Sequence, residues 1–203
     1  MQTLITVQYC SSPYTKGGIM LRSLREIVFD VAKHEVGHWL AWHCSGGSSS
    51  GIEVKILSIK GRHTGAFIPD MEWDVSALND ARNYVKARLL CLHAGIYAQS
   101  FLGDVFDAER IGREFNHLGA AASDFHRSIE LAWAYCNLTG RSDQYKAVCS
   151  EIDQEAASLV ADNFEFIKHA AKAISDMAAY EGQLIKLPDY ELQSMYEKFK
   201  RQR

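Results

Sequence analysis

The chain has 203 residues, 47% hydrophobic and 23% charged, which excludes a wholly disordered polypeptide and is enough to bury one substantial core. A net charge of -3 gives no electrostatic reason to expect a nucleic acid, and the basic stretch KFKRQR at residues 198–203 reads as the favoured positive end of a helix. The five cysteines (Cys10, Cys44, Cys91, Cys136, Cys149) are odd in number and contain no CxxC pair, so neither a disulfide framework nor a cysteine zinc site is indicated. There is no signal-like start and no apolar run near the ~18 residues that would span a bilayer, so the expected setting is cytoplasmic, without a membrane partner.

From the N-terminus, residues 1–22 read as a segment with strand character in LITVQY, set off by Gly17 and Gly18. A helix is predicted over 23–44, because Ser23 and Glu26 have capping-box spacing and Gly46 and Gly47 follow its end. The loop SGGSSSG at 45–51 reads as a mobile connection, with a role over a neighbouring site left open. EVKILSIKGRHTGAFI, residues 53–68, places β-branched and apolar residues on both sides of a glycine-bounded turn and predicts a β-hairpin.

Helices are predicted next over 77–101, with Leu78, Ala81, Val85, Leu89, Leu92 and Ile96 turned inward, and over 122–137. Residues 141–203 read as a helical region. Its apolar pattern from Val148 to Met177 contains neither Gly nor Pro and is too long for an average helix, so it predicts a break or an extended arm. Pro188 and Asp189 open a last helix that turns Leu192, Met195 and Phe199 inward.

The stretch carrying chemistry is VAKHEVGHWLAW, residues 31–42. On the predicted helix, Leu24, Val28, Val31, Glu35, His38 and Trp42 form one stripe, and Ile27, Val31, His34, His38 and Ala41 its neighbour. Three polar side chains therefore point at the core, where each unsatisfied group costs about 1–3 kcal/mol. His34 and His38 stand one turn apart, offset by about 40° and about 6 Å, so their imidazoles can converge on a metal ion. Glu35 projects about 100° away from His34, suited to a water rather than to the ion. This is the logic of HExxH, in which two histidines hold Zn²⁺ and the glutamate accepts a proton.

A catalytic zinc takes a third protein ligand. His43 lies half a turn out of phase with His34 and should face away. His63, His93, His117 and His126 are candidates by residue type alone. Trp39 and Trp42 read as core packing rather than as substrate subsites.

In order and spacing, AKHEVGHWLAW, EVKILSIKGRHTGAFIP and GAAASDFHRSIELAWAY resemble the peptidase domain of the FtsH-like membrane-linked ATP-dependent zinc proteases, from about Leu24 to about Leu192. The resemblance implies that Asp124, at the place of the aspartate in that family's GASND segment, is the third zinc ligand beside His34 and His38, with Glu130 as the rival and an N-terminal helix cap as the plain alternative for Asp124. It implies a mainly α, helix-dominated α+β fold: an HExxH-helix zinc metallopeptidase core over 23–140 with a small β-hairpin or sheet, and a C-terminal helical arm over 141–203. The departures are clear. No GxxxxGK[S/T] occurs, so the expectation is the peptidase part alone, without the ATPase module or membrane anchors. The family's AGR-x-AEE run stands here as AGIYAQS, Ala94 to Ser100.

The expected function is ATP-independent, zinc-dependent endopeptidase cleavage of flexible or unfolded polypeptides, with Glu35 as general base. Val54, Ile56, Gly65 and Ala66 are the expected substrate-binding positions, by strand addition to the hairpin. A homo-oligomer or a partner protein that delivers substrate stays open. The alternative function is a catalytically retired zinc-binding helical domain that acts in protein interaction.

Overall fold

The computed structural model describes residues 7–10, 22–58, 62–70 and 72–203. Among them it is helix-dominated, with seven helices and one antiparallel sheet. Helix α1 (Leu24–Cys44) starts at Ser23, whose hydroxyl accepts from the Glu26 N–H while the Glu26 carboxylate accepts from the Ser23 N–H, so the predicted capping box is formed. The expectation of a helix with one inward face is corrected. From Ile27 to Trp42 every residue except Phe29 is buried.

Burial all round is possible because α1 is wrapped by α2 (Leu78–Ser100) and α6 (Phe164–Asp176) and also packs on the sheet. The close approach of α2 depends on small residues. A Cβ at Gly37 would stand 2.5 Å from the Ala94 carbonyl oxygen and 2.6 Å from the Ala98 Cβ. Trp39 and Trp42 are core residues, as expected: both are buried, and their indole N–H groups donate to Asp189 at 2.7 Å and to the Ser48 carbonyl at 2.8 Å. In α2 the predicted inward residue Leu78 is instead 55% exposed, at the first turn, before the helix enters the core.

The predicted hairpin is present as β2 (Ser49–Ser58) and β3 (Arg62–Pro69), but it is half of a larger sheet. The strand order is β1-β3-β2-β4, all antiparallel, with β1 at Val7–Cys10 and β4 at Leu184–Pro188. The strand expected in LITVQY is represented by β1, and residues 4–6 of that stretch lie outside the described residues. β2 is an interior strand, paired with β3 on one side and β4 on the other. Val54 and Ile56, expected to bind substrate by offering an edge, are therefore corrected to core residues, buried and without a free ladder.

The Ser/Gly loop is likewise tied down. Its last residues are already strand, the Ser49 hydroxyl donates to Asp189, and the Ser48 carbonyl accepts from the Asp70 N–H at 2.9 Å as well as from Trp42. It follows the C-terminal end of α1, two turns beyond His38.

After α2 come α3 (Ala108–Glu114), which the sequence pattern does not reveal, and α4 (Ala122–Thr139), closed by Gly140 at φ 71°. The long uninterrupted pattern breaks at Asn163 into α5 (Tyr145–Asp162) and α6. The Asn163 side-chain amide donates to the Leu159 carbonyl at 2.8 Å, a bond that competes with continuation of the helix. The region after residue 141 does not project as an arm. Val160, Ile167, Ile174, Leu187, Leu192 and Tyr196 join one core with Val31, Val36 and Trp39. Helix α7 (Asp189–Arg201) follows β4 directly, with Leu192 buried and Met195 and Phe199 partly so, as the inward pattern predicts. No helix among the described residues is long and apolar enough to cross a membrane.

A buried ion pair joins α1 to α3. Arg110 straddles Asp30, with Nη2–Oδ2 at 2.5 Å and Nη1–Oδ1 at 3.2 Å, and Lys33 Nζ donates to the Gln99 carbonyl at 3.0 Å. Burial opposes the charge on Asp30, but the Arg110 guanidinium outweighs it and holds the carboxyl below its ordinary value. Asp30→Asn is expected to cost about 3 kcal/mol at pH 7, because Lys33 loses its carboxylate partner and Arg110 keeps only Glu114 as a counterion. The carboxylate stabilises the fold above about pH 4, and the contribution fades as pH falls through the lowered folded-state value. In urea unfolding, the gap between wild type and variant should therefore narrow as pH falls below about 4.

Candidate metal centre

His34 and His38 lie in the middle of α1, where burial on every side removes water from both rings. They stand edge to face, ring centroids 4.5 Å apart and planes at 86°. Asp124, in the first turn of α4, reaches across to them: its Oδ2 lies 3.1 Å from His34 Nε2 and 3.3 Å from His38 Nε2. The three ligand-type atoms lie within 4.8 Å of one another. The helix-cap alternative for Asp124 does not hold, since the N-cap position of α4 is Ala121 and Asp124 is fully buried. Glu130 is exposed, as are His117 and His126. His93 bonds Asp153 at 2.8 Å, and His43 stacks on Trp39 at 4.6 Å, so neither joins the group. The side chain of His63 lies outside the described residues.

The group fits a metal ion on its own chemistry. His38 Nδ1 donates to the Cys91 carbonyl at 2.7 Å, which leaves the Nε2 lone pair of the neutral ring aimed at Asp124 and His34. His38 Nε2 and Asp124 Oδ1 are buried without a hydrogen-bond partner, a costly condition that a cation relieves. The edge of a tetrahedron with zinc-like bonds of about 2.05 Å is about 3.3 Å, close to the two separations onto Asp124. On the other side of the site, the side chain of Gln99 hydrogen-bonds His34, and its amide donates to Asp30 at 3.3 Å, coupling the ligand to the buried ion pair.

Space for the imidazoles comes from Gly95 on α2. A Cβ there would lie 2.5 Å from His38 Cε1 and 2.8 Å from each of the two Nε2 atoms. Composition and spacing do not mark Gly95 as a site residue. Its signal is local: a glycine inside an otherwise good helical pattern, facing the histidine helix.

Glu35 faces the sheet. Its Oε2 accepts from the Phe67 N–H at 2.8 Å, and Oε1 lies under Gly65, where a Cβ would approach to 2.2 Å. Burial pushes the Glu35 carboxyl up to about 8; the charge of His38 and the Phe67 N–H oppose the rise, and Asp124 adds to it. Burial and the charge of His38 lower His34. Burial also works against a charge on His38, but Asp124 outweighs it and holds the ring well above the ordinary imidazole value. Asp124 itself is held below the usual carboxylate range, because the two imidazoles outweigh its burial.

The sequence-predicted residues His34, Glu35, His38 and Asp124 are brought together, and Gly65 with them. All four polar residues are nearly inaccessible, with exposures of 0 to 2%. Ala66 is buried on β3, next to Gly65. Compared with known proteins, the chain matches no family model and no curated protein.

Proposed function

We propose that this chain is a zinc-dependent endopeptidase that works without ATP on flexible or unfolded polypeptides. The observation that carries the reading is the convergence of His34, His38 and Asp124 within 4.8 Å, with the Glu35 carboxyl buried beside them and electrostatically coupled to His38 and Asp124. Zn²⁺ bound there supplies Lewis acidity that activates a water and polarises the scissile carbonyl. His34, His38 and Asp124 hold the ion, the Cys91 carbonyl fixes the His38 ring, and Glu35 takes the proton from the attacking water and passes it to the leaving amine. A carboxyl whose proton affinity burial has raised is suited to that base at neutral pH. The resemblance to the FtsH-like peptidase domain supports the same assignment.

Denatured casein tests it. Zinc-loaded protein is expected to cleave casein, to stop on addition of 1,10-phenanthroline and to recover with added Zn²⁺, while tightly folded domains resist. Absence of bound metal in purified protein, or cleavage indifferent to the chelator, overturns the reading. A second reading is favoured by one observation, the near-complete burial of all four polar residues: a zinc-stabilised helical domain that binds a partner and cleaves nothing. It predicts a chelator-sensitive melting temperature without casein hydrolysis.

A further inference from the structure

We infer that strand β1, residues 7–10, occupies in cis the position that an extended substrate polypeptide takes, so that the chain restrains its own site. The inference deepens the peptidase reading and rests on it for what becomes of a bound polypeptide.

Strand β3 is the part of the sheet that meets the general base: the Phe67 N–H binds Glu35, and Gly65 lies directly over its other oxygen. The far side of the hairpin is closed, because β2 is paired with β4 from Gly51 to Lys55. Backbone pairing next to Glu35 is therefore available at the outer ladder of β3, and β1 is there. It runs antiparallel along Arg62–Gly65, with Val7 opposite Gly65.

β1 also lies against α4, the helix that carries Asp124. β1 thus adjoins both β3, which meets Glu35, and α4, which carries Asp124. Strand pairing through the main chain is indifferent to side-chain identity, so one extended polypeptide can exchange for another. Among the described residues the occupant is a short strand of four, and a tethered one competes at an effective concentration on the order of millimolar. Dilute unfolded substrate is held off, while a high local concentration of it displaces the strand.

The test uses the full-length zinc-loaded chain and fluorescein-labelled casein, with two readouts: hydrolysis rate, and binding by anisotropy in a Glu35→Gln background. In one variant, Gln8→Pro is combined with Tyr9→Pro. Successive N–H groups point to opposite sides of a strand, so one of the two prolines removes a ladder donor. In the other, Gln8→Cys is combined with Thr64→Cys, opposite one another in the register, to lock β1 in place by oxidation. The proline variant is expected to bind casein about tenfold tighter or more and to cleave it faster, because a competitor is removed. The oxidised lock is expected to lose both binding and cleavage and to regain them on reduction. Unchanged casein affinity in both variants overturns the inference, whatever happens to the melting temperature, and leaves the peptidase reading standing if chelator-sensitive cleavage persists. If affinity moves as expected but no form cleaves casein, the peptidase reading falls and β1 remains the occupant of a polypeptide-binding edge.

Discussion

Glu35→Gln is expected to cleave casein about 10² to 10⁴ times more slowly than wild type, the range lost with a general base, while zinc content by elemental analysis stays at the wild-type level. The substitution is close to isosteric, and the amide oxygen can still accept from the Phe67 N–H, so the sheet contact survives. The same variant carries a pH signature in metal-free protein. With the folded-state value raised to about 8, the Glu35 carboxyl must ionise at a penalty in the folded protein but not in the unfolded chain. Wild-type stability from this group is fully present below about pH 4.3 and is lost as pH rises towards 8. Glu35→Gln lacks that slope. Chemical denaturation of the two apo-proteins at pH 5 and pH 8.5 should show the variant gaining on wild type by several kcal/mol at the higher pH. Equal turnover in variant and wild type would remove Glu35 from the mechanism.

Gly95→Ala is the second large effect, and propensity alone predicts its opposite. In a helix interior, Gly to Ala usually stabilises by about 1 kcal/mol. Here the added methyl would meet His38 Cε1 at 2.5 Å and both Nε2 atoms at 2.8 Å, inside the space that the ligand atoms share. The rings have to turn away, and neither can turn freely, since His38 is held by the Cys91 carbonyl and the α1–α2 contact is closed by Gly37 against Ala94 and Ala98. The expected result is loss of about 1–3 kcal/mol of stability from overpacking. Zinc affinity should fall by about 10- to 100-fold, the range for disturbing groups that orient a ligand. Competitive titration with a chromophoric chelator reads the affinity. An unchanged zinc constant would mean that the two imidazoles do not share a metal.

The site was legible in the sequence where chemistry is concentrated in one helix. The spacing of His34, Glu35 and His38 and their position among apolar residues are enough to bring the two rings together, and the capping box marks where their helix begins. Asp124 was reachable only through the resemblance, because a single aspartate early in a helix has the same local signature as a cap or a surface acid. Gly95, Gln99 and the Cys91 carbonyl escaped for a different reason. They act by backbone geometry or by contacts between elements distant in sequence, and no local pattern carries that.

The sheet was only half legible. β4 alternates exposed and buried side chains over five residues and ends in a proline, which reads as the start of the next helix. Its pairing with β2 cannot be foreseen from a stretch that short. The amphipathic reading of α1 failed because Ala32 and Gly37 look neutral on a wheel, whereas small residues such as Gly37 are what let a neighbouring helix cover that side.

Asp189 accepts hydrogen bonds from Trp39 and from Ser49, partners 150 and 140 residues away along the chain. On a ribosome, the hairpin and the histidine helix emerge long before the residues that seal them, so β2 travels with an unpaired ladder until the last part of the chain appears. Contacts of such sequence separation form slowly, and the nascent protein is open to intermolecular strand pairing throughout that interval.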